Sequence, residues 1–136
     1  MNKTDILSAM KSRILNAAIT PNVAYPNVTP ADDSLPLVEI EFAGGDSATD
    51  ALDGSSLENE VGVLTVTVVI ERNADGGEDT GNALAQAIKA LFPAGLRLPI
   101  TGGRVNFLQP ASIRNGFPDK TSWRIPVTIQ YRADQN

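Results

Sequence analysis

The 136-residue chain is 42% hydrophobic and 20% charged, proportions that suit one soluble globular domain with its own core. Its net charge of −5, with eleven scattered basic residues, argues against unaided gripping of a nucleic acid backbone. It has no cysteine and no histidine, which excludes a disulfide framework, the commonest zinc ligands, the Ser-His-Asp triad and every Cys-His nucleophile pair.

The first predicted element is an amphipathic helix over about residues 4–19, with Thr4 as N-cap and Asp5 in the first turn, where a carboxylate suits the helix dipole. Ile6, Leu7, Met10, Ile14, Ala17 and Ala18 recur at helical spacing, and Pro21 is the expected stop. Lys11, Ser12 and Arg13 interrupt the apolar residues, so this start is not a signal peptide. No apolar run approaches the ~20 residues of a membrane-spanning helix, and no membrane partner is expected. The absence of cysteine allows an intracellular origin.

"NVAYPNVTP" reads as extended chain, and Leu37–Phe42 as a strand alternating Val38, Ile40 and Phe42 against Glu39 and Glu41. "GGDSATDALDGSSLENE", residues 44–60, follows with five carboxylates, three glycines and no hydrophobic period, and reads as a long polar loop. Val61–Glu71 is the strongest strand. Both its faces are apolar or nearly so, which predicts a strand covered on both sides. Either the β-rich C-terminal third or a neighbouring subunit would supply the second cover.

A second helix is predicted over about residues 79–92, with Leu84, Ala87, Ile88, Leu91 and Phe92 as its buried stripe. "TGGRV" reads as a hairpin turn between Leu96–Ile100 and Arg104–Leu108, and Ala111–Asn115 as a short strand. The closing "TSWRIPVTIQYRAD" points Trp123, Ile125, Val127, Ile129 and Tyr131 one way and Arg124, Thr128, Gln130 and Arg132 the other. Pro126 cannot donate to a ladder and predicts an edge or a bulge there. The sum is a single α+β domain, one twisted, largely antiparallel sheet with two helices packed on it.

The acidic stretches fail as calcium loops. Setting Asp53, Gly54 and Glu60 at the fifth, sixth and twelfth EF-hand positions puts Ala51 third, where alanine cannot ligate. In "ERNADGGED" the position needing a bidentate glutamate falls on Asn82. No metal and no cofactor is expected. A carboxylate-based hydrolase is the surviving enzyme reading, and it would need two inward acids in one pocket.

The order of elements, with "YPNV", "ALAQAIKALFPAGLRL" and "SWRIPVTIQYRAD", resembles the phage tail terminator-like family over most of the chain, with Tyr25 where members often carry tryptophan. The resemblance implies an α+β subunit with no reaction and no cofactor. It implies assembly into a ring, a hexamer in the best-known relatives, that caps the tail tube, stops its polymerisation and offers a docking surface to the head. The implied partners are further copies of the chain, the tail-tube protein and a head-completion or connector protein, with DNA only as passing cargo. The implied setting is the virion tail, assembled in the bacterial host cytoplasm. Candidate assembly contacts are Asp46, Asp50, Asp53, Glu58 and Glu60, read as a mobile arm facing solvent, a basic partner or the lumen, together with Arg124 and Arg132. A loop with no role is the bland alternative for 44–60. The competing functions are a head-closure stopper, a tail-tube subunit and, without positive features, a small-molecule binding domain.

Overall fold

The computed structural model describes residues 2–20, 23–25, 36–49, 58–72 and 77–135. Among these, two helices and one mixed sheet make an α+β fold. Helix α1 spans Lys3–Ala17. Its N-cap is Asn2 rather than Thr4: the Asn2 Oδ1 accepts the Thr4 backbone N–H at 2.8 Å. Asparagine is as good a cap as threonine, so two candidates two residues apart compete and the earlier one is used. The helix ends at Ala17 because Ala18 turns left-handed, with φ 51, and bonds its N–H to the Leu15 carbonyl. Pro21 lies outside the described residues. Ile6, Met10 and Ile14 are buried, whereas Ala17 and Ala18 are exposed past the last packed turn.

Strand β1, Val23–Ala24, runs parallel to β2, Leu37–Thr49. The Tyr25 ring beyond β1 lies 4.5 Å beneath the Lys11 ammonium of α1, which ties this short edge piece to the helix. Strand β2 then pairs antiparallel with β3, Glu58–Glu71, from Leu37 opposite Val69 to Thr49 opposite Glu58. Much of the expected loop 44–60 is therefore strand. A register shift between Gly44 and Asp46 marks a bulge, and the polar residues beyond it carry no hydrophobic alternation that would betray a strand. Residues 50–57, Asp50 and Asp53 among them, lie outside the described residues.

Helix α2 spans Gly77–Leu91. Its buried stripe is Gly81, Ala85 and Ile88, continued by Phe92; Ala87 is exposed, one position off the stripe predicted for it. A side chain at Gly81 would run into Ile70 and Ile125 of the sheet, so glycine there lets the helix settle onto β3. The Arg13 guanidinium of α1 donates to the Leu91 carbonyl at the C-terminal end of α2, joining the helices where a cation suits the dipole.

The remaining strands are β4 (Arg97–Ile100), β5 (Gly103–Asn106), β6 (Ser112–Ile113), β7 (Phe117–Asp119) and β8 (Ser122–Gln135). The sheet order is β1-β2-β3-β8-β5-β4, with β6 and β7 also on β8. One edge of β8 pairs with β3 along almost its whole length, and β7, β6 and β5 take the other edge in turn. Pro126 therefore sits in a central strand, not at an edge. Its carbonyl accepts the Arg114 N–H at 2.8 Å, and lacking an N–H it cannot return the bond. The β6 ladder stops there, at Ile113 opposite Val127, so the proline occupies the gap between β6 and β7.

The core lies between one sheet face and the helices: Val38 and Ile40 of β2, Leu64, Val66, Val68 and Ile70 of β3, and Ile125, Val127 and Ile129 of β8 are buried with Ile6, Met10, Ile14, Ile88 and Phe92. Phe92 packs on Phe107 with centroids 5.2 Å apart and rings tilted by 54°. The other sheet face is not the apolar one expected. Val61, Val63, Thr65 and Thr67 of β3 lie between Glu39, Glu41 and Ala43 of β2 and Pro126, Thr128, Gln130 and Arg132 of β8. The C-terminal third widens the sheet beside β8 instead of folding over that face, and Glu41, Ala43, Val61 and Gln130 are exposed.

Candidate assembly surface

The open sheet face carries the chain's clearest surface constellation. Strand alternation puts Arg124 and Arg132 on it, eight residues apart along β8. Arg124 lies opposite Val69 and reaches sideways to the Glu39 carboxylate at 2.7 Å and the Asp119 carboxylate at 2.9 Å. The hydrogen bond to Glu39 dominates, outweighing partial burial, and raises the guanidinium pKa further above its ordinary value. This network pins β2 and the β7–β8 turn to the middle of the sheet.

Toward the other end, Arg132 Nε meets Asp134 at 2.8 Å, and Asn106 Nδ2 donates to the same carboxylate at 2.7 Å. The Asn106 Oδ1 is buried without a partner among the described residues. A cleft of about 460 Å³ opens beside this cluster, lined by Val61, Val63, Leu108, Gln109, Gln130 and Arg132. Leu108 is 71% and Val61 46% exposed, two large apolar side chains at the cleft. Among the described residues Arg132 is the cleft's one charged lining residue, so they offer apolar contact and a guanidinium.

Of the predicted acidic arm, Asp50 and Asp53 lie outside the described residues. Asp46 occupies a β2 position opposite Val61, and Glu58 pairs with Thr49 at the start of β3. Glu60, expected to face solvent, a basic partner or the lumen, is only 5% exposed. It shares the inner face of β3 with Gly62 and Leu64, which the residue order from Val61 onward does not reveal because the strand begins three residues earlier. Tyr131 lies across Gly62 and hydrogen-bonds Glu60; burial first, then the Glu60 charge, pushes the tyrosine hydroxyl up to about 12. The second carboxylate oxygen of Glu60, Oε2, has no partner among the described residues. Sequence reading missed Asn106, Leu108 and Arg97. They sit on or beside a tight hairpin, and only the register of β4 and β5 against β8 brings them to this face.

Two solved structures share the fold over nearly the whole chain. One has a TM-score of 0.79 at 21% identity, covering 98% of this chain and 96% of its own. The second, from the virion of a native gene transfer agent (GTA) particle, has a TM-score of 0.68 at 18% identity and covers 96% of both chains. Among curated proteins none matches the chain. The sequence profile of the family described as phage tail terminator protein matches residues 5–131. The chain therefore belongs to the phage tail terminator protein family and is a structural protein of the phage tail.

Proposed function

We propose that the chain forms a closed ring, a hexamer, that caps the completed tail tube, ends its polymerisation and presents a surface to a head-completion or connector protein. Its partners are then further copies of itself and the tail-tube protein, with DNA passing through the lumen. Assembly takes place in the bacterial host cytoplasm, and the ring remains in the virion tail. The net charge of −5 suits a channel that DNA crosses without sticking, because like charges repel.

The observation that carries the reading, beside family membership, is that the sheet does not close on itself. Among the described residues, strand β4 ends it on one side, and on the other the two-residue β1 pairs with Val38 and Glu39 of the thirteen-residue β2. Open edges are ready templates for a neighbour. A closed head-to-tail ring uses one such edge against the other and leaves none free.

Native mass spectrometry over a concentration series, checked by negative-stain images, tests the reading. A discrete ring is the expected result. Long filaments would mark a tube subunit instead. A strict monomer that also fails to stop the growth of tubes built from the tail-tube protein would refute the reading.

A further inference from the structure

We propose that copies of the chain join head-to-tail through a basic and apolar seat formed by Arg97, Arg104 and Leu108, which receives the acidic side of the next copy. This rests on the reading that copies assemble into a ring, and it names the surface that holds a neighbour. Charge is divided unevenly along the chain. Residues 32–79 hold thirteen of the sixteen acids and a single base, Arg72, whereas residues 80–136 hold seven of the eleven bases and two acids, Asp119 and Asp134. The fold keeps the two stretches apart. Strands β2 and β3 come from the acidic stretch and lie side by side, and β8, β5 and β4 follow in order beyond β3. The net charge of −5 therefore hides a subunit polarised across its sheet.

On the basic side, Arg124 is committed to Glu39 and Asp119, and Arg132 to Asp134. Arg97 and Arg104 are exposed and have no carboxylate partner among the described residues. Val105 is fully buried on the inner face, so strand alternation turns Arg104 and Asn106 outward, and Arg97 lies opposite Asn106. The two arginines line a groove of about 150 Å³ together with Leu108. Leu108 also borders the cleft of about 460 Å³ that holds Val61. At 71% exposure it is the most exposed large apolar side chain among the described residues.

Guanidinium groups beside an exposed leucine match a partner that brings carboxylates and apolar surface together. A phosphodiester backbone brings charge without apolar surface, and its contacts are polar and cationic. A protein surface brings both, and the protein that ring assembly sets alongside is another copy, whose residues 32–79 sum to a charge of −12 from thirteen acids and one base. Charge also selects the geometry. A two-fold contact would set seat against seat and arginines against arginines, whereas a head-to-tail contact sets the basic side against the acidic one.

Two variants of the full chain test the seat by sedimentation velocity. Arg97→Glu combined with Arg104→Glu is expected to raise the protein concentration for half-assembly at least about tenfold, and Leu108→Ser at least about threefold. Raising salt from about 0.05 to 0.5 M should weaken assembly of the original chain. Circular dichroism melts of both variants should match the original, since all three residues are exposed. The arginine variant keeps its acidic side, so a labelled sample that is monomeric alone should still join original copies. An original chain that forms rings while both variants assemble equally well would overturn the seat and leave the ring standing. Filaments weakened by the same variants would uphold the seat and overturn the ring alone. A labelled variant that does not join original copies would overturn the head-to-tail contact. An original chain that stays monomeric both alone and on tube ends would overturn seat and ring together, and duplex DNA binding lost in the arginine variant would then assign the groove to nucleic acid.

Discussion

Gly62→Ala should destabilise the protein, although alanine normally improves a strand. Replacing glycine inside a strand gains about 0.5–1 kcal/mol, because glycine loses more backbone entropy on folding. Here the new methyl carbon would stand 2.5 Å from the Tyr131 hydroxyl oxygen, 2.6 Å from Cζ and 2.9 Å from Cε1. Carbon contacts relax at about 3.5–4.0 Å, so the ring must give way by about 1 Å. Tyr131 is 4% exposed and has little room to move. Overpacking of this kind costs about 1–3 kcal/mol. Displacing the ring also strains its hydrogen bond to Glu60, whose Oε2 has no partner among the described residues, and an unsatisfied buried acceptor costs about 1–3 kcal/mol more. The net expectation is a loss of about 1–5 kcal/mol, or about 4–20 °C in Tm for a chain of this length. A double-mutant cycle isolates the cause. In a Tyr131→Leu background the same Gly62→Ala change should be neutral or stabilising, a coupling of at least about 1.5 kcal/mol by denaturant titration. Equal effects in both backgrounds would refute the packing argument.

Gly103→Ala should be harsher than Gly62→Ala, because its methyl meets the backbone carbonyl of Asp134 rather than a side chain; a drop in Tm smaller than that of Gly62→Ala would count against the β5–β8 contact. Ala18→Gly should raise stability by about 0.5–1 kcal/mol, since Ala18 holds a left-handed cap at φ 51 that glycine adopts without strain; a thermal melt reads it. Alkaline unfolding should report on Tyr131. Its folded pKa of about 12 lies above the ordinary 10.0, so native protein keeps a proton that unfolded chain has lost. The resulting stability is complete below pH 10 and falls as pH rises toward 12. Tyr131→Phe should flatten that part of the stability-versus-pH curve; an unchanged slope would rule out Tyr131 as its source.

The inner face was legible because its signal is hydrophobic period. Ile6, Met10 and Ile14 at helical spacing, and Ile125, Val127, Ile129 and Tyr131 at strand spacing, all lie where the pattern puts them. The outer face was misread from the same evidence. Val61 and Val63 alternate as if covered, yet a strand's neighbours decide what its face becomes, and here they bring Glu41, Gln130 and Arg132, while Val69 opposite Leu37 is buried as its pattern predicts. The polar extension of β2 past its bulge was invisible for the opposite reason: Ser47, Ala48 and Thr49 have no apolar partners to betray a ladder. Pro126 was rightly read as a ladder break and wrongly as an edge, because a central strand with three short partners along one side has breaks of its own.

That difference between faces bears on function. The core could be read from hydrophobic period, since that depends on what the chain buries in itself, and the family from the resemblance carried by the order of elements and by "YPNV", "ALAQAIKALFPAGLRL" and "SWRIPVTIQYRAD". An assembly surface depends on what the chain leaves unsatisfied. Glu60 illustrates the confusion: it belongs to an acidic run that looks like an exposed arm, yet it is committed to Tyr131 inside the subunit. Arg97 is its converse, an isolated residue in a short hairpin that carries no pattern at all. Only the register of β4 on β5 and of β5 on β8 places it on the outer face, opposite Asn106 and in line with Arg132.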